Sequence, residues 1–427
     1  MKQQRDKIEH EAIIDVVVIG GGPAGMLAAA RASERGRTVL LLEKNATLGK
    51  KLLISGGGRS NVTNNTPDVR TMLARYKEGG KFLFSAFSQF AVIESMLYFE
   101  KRAVPLKEEN EGRMFPKSNT AQSVHDALVS HMKESGVTVR TRCTVTGVTK
   151  DPDGSFSISF QDTNKPISNN SIHVRAVILA TGGTSHPETG STGEGFTWLA
   201  KLGHTTIENN FALVPIALKD EWVTRLSGLT LNDVKLTVLS DGSKKITKVG
   251  KLLFTHFGVS GPTILNMSKE IGELLIESDV TLMVDLFPKL DHQELRTKIQ
   301  TALADESNKM LKNTLRSLVP SALVTSLLIL LHVDGETSNH SVSTETRKAL
   351  VLLLKALPLH PSHLLGADKA VISSGGVALA EVDFKTMESR IVPKLFLVGD
   401  ILNVDRPSGG YSLQLCWTTG YVAGSSV

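Results

Sequence analysis

The chain has 427 residues and only two cysteines, Cys143 and Cys416. Two thiols cannot build a disulfide framework or a four-thiolate metal site, and a reducing compartment is the simplest setting for them. No run of five or more basic residues occurs, and 48 Lys and Arg against 43 Asp and Glu leave a formal charge of only +5. Charge alone therefore leaves no nucleic-acid footprint. Aromatic residues make up 5% and do not interleave with basic ones in a stripe that would stack bases. No P-loop is present, no histidine–carboxylate cluster has zinc-like spacing, and Gly258-Val259-Ser260-Gly261 falls one residue short of a nucleophile elbow. No metal is expected. Apolar runs stay short of the ~20 residues that span a bilayer, and Met1–Glu11 carries charges of both signs, unlike a signal peptide. These absences predict a cytoplasmic protein without membrane contact.

What is present is glycine, 36 residues of it, in clusters at the ends of apolar runs. Residues 13–19 (IIDVVVI) form a β-branched run of the kind buried on both faces of a parallel sheet. Gly20-Gly21-Gly22-Pro23-Ala24-Gly25 follows, then an alanine-rich helical stretch to Arg35 that stops at Gly36, then a second apolar run ending at Glu43. Strand, glycine turn, helix and strand make a βαβ unit. Two further buried-strand patterns, 174–180 and 394–398, run into Thr181-Gly182-Gly183 and Gly399-Asp400. Between them the character changes: β-like alternation over about 204–290, then helical leucine spacing over 291–363. The expected organisation is a discontinuous nucleotide-binding domain, 1–203 and 364–427, interrupted by an insert with a β part and a helical part. The fold class is α/β, with a Rossmann-like domain holding the nucleotide and the insert walling the substrate side. Gln161–Ser171 is polar and reads as a hairpin loop.

Gly20, Gly22 and Gly25 fit G-x-G-x-x-G. The first glycine permits the turn out of the strand, the second lets backbone approach a pyrophosphate, and the third allows close helix–strand packing, with Pro23 and Ala24 opening the helix. The helix N-terminus then offers N–H groups and a positive dipole end to phosphate. Glu43 lies 18 residues after Gly25, where a carboxylate accepts from a ribose diol and disfavours a 2′-phosphate. This unit alone does not separate NAD from FAD. The later turns do: Ala180-Thr181-Gly182, then Gly399-Asp400, then Gly409-Gly410-Tyr411-Ser412 opening a final helix match, in order, the segments that pass along FAD in glutathione-reductase-like flavoproteins.

Residues 48–64 (LGKKLLISGGGRSNVTN), Arg113-Met114-Phe115-Pro116, residues 180–187 (ATGGTSHP), residues 254–262 (FTHFGVSGP) and Gly375-Gly376-Val377 resemble the aminoacetone-oxidase-like (BaiN) flavoprotein family, whose members are NAD(P)/FAD-dependent oxidoreductases. The resemblance runs from about residue 13 to the C-terminus. It implies a FAD-binding Rossmann-like domain with an insert and an oxidoreductase role, on substrates as unlike as small amines and steroid-type enones. By position, Glu43 with Lys44 would hold the adenosine ribose. Gly49, Lys50, Lys51, Ser55, Gly56, Arg59, Ser60 and Asn61 would follow the pyrophosphate and ribityl, and Val145 would meet adenine through its backbone. Gly399, Asp400, Gly410, Tyr411, Ser412 and Leu413 would lie at the ribityl and the ring. Three positions depart from the pattern: Ser60 stands where relatives usually have Cys, Asp400 where they often have Glu, and Ser412 where Asn is common. The first removes any thiol chemistry at that position, and the other two keep their hydrogen-bonding capacity.

No His or Cys lies in a flavin-attachment motif, so FAD is expected to be non-covalent. Only one complete dinucleotide unit is present, so NAD(P)H, if it supplies electrons, docks transiently. Candidate proton-handling residues are His256, Tyr411 and Arg59. The reading is a FAD-dependent oxidoreductase of a small organic substrate, by amine oxidation or NAD(P)H-linked enone reduction. A flavin-dependent tRNA-modifying enzyme, motivated by a pI near 9.0, and a non-catalytic FAD-binding protein are the alternatives.

Overall fold

Val16–Ile19 (β1) is buried at every residue, as a β-branched run between two covered sheet faces should be. In the computed structural model, which describes residues 14–163, 169–366 and 372–427, it sits at the middle of a five-stranded parallel sheet. Its neighbours are Val39–Leu42 (β2) and, beyond it, Thr138–Arg140 (β3) on one side, then Ala176–Leu179 (β4) and Leu395–Leu397 (β5) on the other. The order is β5-β4-β1-β2-β3, so successive crossovers run outward from β1 in one direction and then return to fill the other. Pro23–Glu34 (α1) packs its alanines on this sheet and ends at Arg35-Gly36, where glycine takes φ +83°.

Lys50–Gly58 (α2) and Tyr411–Ser426 (α3) complete the elements that frame the site. α3 lies against α1 with almost no space between the backbones. A Cβ on Gly420 would fall 2.5 Å from the Ala24 carbonyl oxygen, and one on Gly424 would fall 2.5 Å from that of Ala28. Two glycines four residues apart thus put two helix backbones in contact. An antiparallel three-stranded sheet, Cys143–Lys150, Phe156–Asp162 and Asn169–Val174, branches off between β3 and β4. Its pairing extends to Gln161 opposite Asn169, so part of the segment read as loop is strand; residues 164–168 lie outside the described residues.

The chain divides into two compact units, the first ending at Asn210 and resuming at Ile372, the second comprising Phe211–Val371. The pattern break in the sequence fell at 204 and 363. Thr206–Ala212 is paired with Ile372–Val377 in a two-stranded sheet, and Pro361–Leu364 is still an edge strand of the second unit's sheet.

The second unit holds a seven-stranded antiparallel sheet with Thr230–Ser240 and Ser243–Thr255 as its long central hairpin. The separate β and helical parts expected here are not separate bodies. Pro262–Glu277, within the stretch read as β, is a 16-residue helix that buries Ile264, Met267, Ser268 and Ile271 along one face. That is the helical spacing of three and four, which the strong alternation on either side obscured. The later helices bury Leu311, Leu315, Leu323, Leu327 and Leu354 in the same core as strand residues Leu236, Leu252 and Leu282.

Candidate functional site

The crossover reversal beside β1 leaves a crevice at the carboxyl ends of β1 and β4, which is where open α/β sheets bind ligands. Both strands end in glycine-bearing turns there. Gly20 has φ +106°, and a Cβ on it would lie 2.5 Å from the Ala180 carbonyl oxygen. Gly25 is tighter still: its Cβ would stand 2.0 Å from the Gly20 carbonyl oxygen. Gly22, by contrast, faces open space, with no atom within 4 Å of a would-be Cβ. It is also the N-cap of α1, which has no side-chain cap, no acidic residue in its first turn, and Pro23 at its start. The second glycine therefore opens a cradle that the first and third brace, and the helix dipole points into it uncompensated.

Glu43, buried at the end of β2, closes this turn from the other side. Its Oε2 accepts from Gly21 N–H at 2.7 Å, and its Oε1 accepts from the backbone and side-chain N–H groups of Asn45, both at 2.7 Å. The acid read as a ribose acceptor is thus also the staple of the glycine turn. Lys44 is turned away onto Glu194, at 2.7 Å, and Thr192. Val145 lies next to a register shift between Val145 and Gly147 in its pairing with Phe156–Asp162. We expect Glu43→Gln to weaken FAD binding about 10- to 150-fold, since charge-assisted bonds of this kind are worth about 1.5–3 kcal/mol. Titrating apoprotein with FAD by flavin fluorescence measures it; an unchanged affinity would disconnect the turn from the cofactor.

Gly49 (φ +65°) caps α2 and donates its N–H to the Gly21 carbonyl at 2.8 Å, tying this segment to the glycine turn. After Ser55, whose hydroxyl donates to Leu52 O, the helix gives way to Gly56, Gly57 and Gly58, all at positive φ, and Ser60 follows at φ +61°. Only glycine takes such a run without strain, which accounts for the three in a row. Ser60 is fully buried and its hydroxyl has no partner among the described residues. Asn61, in the amide orientation that satisfies its surroundings, accepts from Gly410 N–H at 3.0 Å and donates to the carbonyls of Thr63 and Met114. Lys50 donates to Glu188 O, and Lys51 reaches Ser185 Oγ at 3.2 Å. Burial pulls the Lys51 ammonium below the usual lysine range, with nearby Asp400 opposing the shift. Arg59 is engaged elsewhere, paired with Glu109 at 2.9 Å and stacked over the Phe115 ring at 4.1 Å.

The C-terminal segment supplies the other wall. Gly399 (φ +72°) lies against Ala24, and Asp400 follows it. Gly410 presses on Thr63, whose carbonyl oxygen would be 2.4 Å from a Cβ, and begins α3, again without side-chain cap or first-turn acid. Tyr411 is buried, packs edge-on against Tyr76 and accepts that residue's phenol on its carbonyl at 2.8 Å; burial raises its own phenol's pKa. Leu413 is buried beside it. Thr181 points its hydroxyl at Gly195, where a Cβ would lie 2.2 Å away, and Gly182 (φ +73°) sits against Ser191.

One residue of this wall escaped the sequence reading. Arg406 is buried, donating Nη1 to Val404 O at 2.8 Å and Nε to Ser412 Oγ at 3.0 Å, and pairing Nη2 with Asp400. A lone arginine in a loop carries no periodic signal; only the Pro407-Ser408-Gly409-Gly410 turn after it marks the place. His256 belongs to the second unit, exposed on the two-residue turn that joins Ser243–Thr255 to Gly258–Ser260.

An open cradle at Gly22, two uncapped helix N-termini and the orphaned Ser60 hydroxyl suit a bound dinucleotide. The HI0933-like protein Rossmann domain matches residues 14–426. The chain is 29% identical to the ribosomal RNA dihydrouridine synthase of Escherichia coli, over 95% of this chain and 96% of that one. It is equally 29% identical to the 3-dehydro-bile acid delta(4,6)-reductase of Clostridium scindens, over 95% and 97%. Its fold is similar to that of the 3-ketosteroid-delta4-(5alpha)-dehydrogenase of Rhodococcus jostii RHA1, with a TM-score of 0.52, 16% identity, and 99% and 98% of the two chains covered.

Proposed function

This chain belongs to the HI0933-like Rossmann family and is a flavin-dependent oxidoreductase with FAD as its cofactor, and from that premise we propose that it reduces a carbon–carbon double bond conjugated to a carbonyl. One observation carries the reading. Two full-length relatives are named for unlike substrates, a base in ribosomal RNA and a bile acid, yet both names describe the same change. Making dihydrouridine saturates a double bond next to a ring carbonyl, and a delta(4,6)-reductase acts on double bonds extending from a 3-oxo group.

Bound FAD would supply the hydride-transfer chemistry, with NADH or NADPH as electron donor, and this chain's residues would hold it and deliver the proton that completes the saturated bond. In this reading the backbone of Gly20–Gly25 and the start of α1 hold the pyrophosphate. Glu43 keeps that turn shaped and accepts from the ribose. The start of α3 would lie at the ring, where its dipole favours negative charge. Tyr411 is the proton donor among the three candidates: burial keeps its phenol protonated, whereas Arg59 is occupied by Glu109. Tyr411→Phe is expected to leave reduction by NAD(P)H intact and to slow substrate reduction 10²- to 10⁴-fold; stopped-flow measurement of the two half-reactions checks it. A reducing cytoplasm, where nicotinamide donors are available, suits an enzyme whose two cysteines are both buried thiols.

The test is anaerobic. Yellow holoenzyme is titrated with NADH or NADPH until the visible band bleaches, and candidate acceptors are then added. Return of the colour with cyclic enones or a 3-oxo-4,6-diene steroid supports the proposal, and return only with uridine-containing RNA moves the substrate to nucleic acid. Bleaching by amines with no response to nicotinamides overturns it.

A further inference from the structure

We propose that Arg406 sets the reduction potential of the flavin in this chain: a buried guanidinium, clamped between Asp400 and Ser412 at the start of α3, that favours the anionic reduced form of FAD. The inference rests on the reading that the ring lies at that helix terminus.

The side chain of Arg406 is 1% exposed, and its three partners lie on three sides of the fork, so the charge is fixed in place. Two of those partners, Asp400 and Ser412, come from the turn after β5 and from the first turn of α3, so the guanidinium ties these two segments together.

Lys51 from α2 and Arg406 face one carboxylate, Asp400, which is 14% exposed; Glu188 adds a second that is 56% exposed and occupied by His186. Burial holds the Tyr76 and Tyr411 phenols and the Cys416 thiol protonated, Arg75 and Glu111 lie about Tyr411, and Asp405, which precedes Arg406, is engaged in a contact of its own. The terminus of α3 contributes about half a further positive charge. Oxidised flavin is neutral, whereas the ring after two electrons and one proton is an anion, so this field acts on the difference between the two states. Away from water it is little screened. Arg406 is a positioning residue: it works through the field and through Asp400.

Spectroelectrochemical titration of holoenzyme over a pH series tests this. Arg406→Gln is expected to bind reduced FAD at least tenfold more weakly relative to oxidised FAD, a midpoint about 30 mV lower, with Arg406→Lys close to wild type. The proton uptake per two electrons near neutral pH should rise from one toward two in the Gln variant. Asp400→Asn, which removes the compensating carboxylate, should shift the midpoint upward, and it decides the matter if Arg406→Gln fails to retain FAD. Equal midpoints in all the flavin-bearing proteins, or a fall in Asp400→Asn, would overturn the proposal. A wild-type protein that binds no FAD would instead refute the reading on which it rests.

Discussion

Gly25→Ala is expected to yield a protein without its yellow colour. An added Cβ would stand 2.0 Å from the Gly20 carbonyl oxygen and 3.1 Å from the Ala180 Cβ. The near atom is backbone in the turn leaving β1, so no flexible side chain can swing aside. Instead α1 must move outward, carrying the N–H groups of its first turn away from the pyrophosphate. Overpacking of this kind costs about 1–3 kcal/mol, and the displaced helix end loses the geometry on which anion binding depends. FAD content, read from the visible-to-ultraviolet absorbance ratio, should fall below about a tenth of wild type. The informative contrast is Gly22→Ala. That residue has an ordinary φ of −77° and open space before it, so the protein should fold and melt normally while losing cofactor. Full FAD in the Gly25 variant, or a normal FAD content in the Gly22 variant, would place the pyrophosphate elsewhere.

The second large effect lies in the other unit. Lys355→Met is expected to destabilise it by about 3–5 kcal/mol, the cost of stranding a buried charge. Lys355 Nζ sits 2.8 Å from Asp285 Oδ2 and also donates to the carbonyls of Phe287 at 3.0 Å and Leu290 at 2.6 Å. Asp285 is 3% exposed. Without the lysine it keeps the Phe287 N–H at 3.0 Å and a distant Lys235 at 3.7 Å. Adding Asp285→Asn should recover part of the loss, because the stranded charge goes with it. Calorimetry alongside flavin fluorescence should show an early transition in the second unit while FAD stays bound. A midpoint within about 1 °C of wild type would mean that the pair contributes nothing.

The cofactor half of the molecule was legible because its signals are local. β1, the glycine turn, α1 and β2 each follow from residues adjacent in the chain, and the turns after β4 and β5 follow from glycines at strand ends. What escaped depends on partners far away in sequence. Lys44 is claimed by Glu194 and Arg59 by Glu109, and neither pairing has a local trace. The helix Pro262–Glu277 was hidden by alternation in the long strands before it and in Val280–Asp285 after it. Arg406 was missed because its burial arises only when the loop folds back on Asp400 and on the first turn of α3.

The close contact of α1 and α3 also fixes a length. Ala24, one residue into α1, touches Gly420, and Ala28 touches Gly424, so the helices run in the same direction with α3, from Tyr411, starting eight residues earlier than α1. At 1.5 Å per residue, the two positive helix ends are offset by roughly 12 Å along the contact. The pair works as a ruler cut into the backbone, since sliding one helix along the other would drive each glycine into a carbonyl. A ligand that satisfies both ends must carry negative charge at two points spaced by that offset, with a flexible polar chain between them. A mononucleotide reaches one mark only, so the spacing fixed by this helix contact favours the longer molecule.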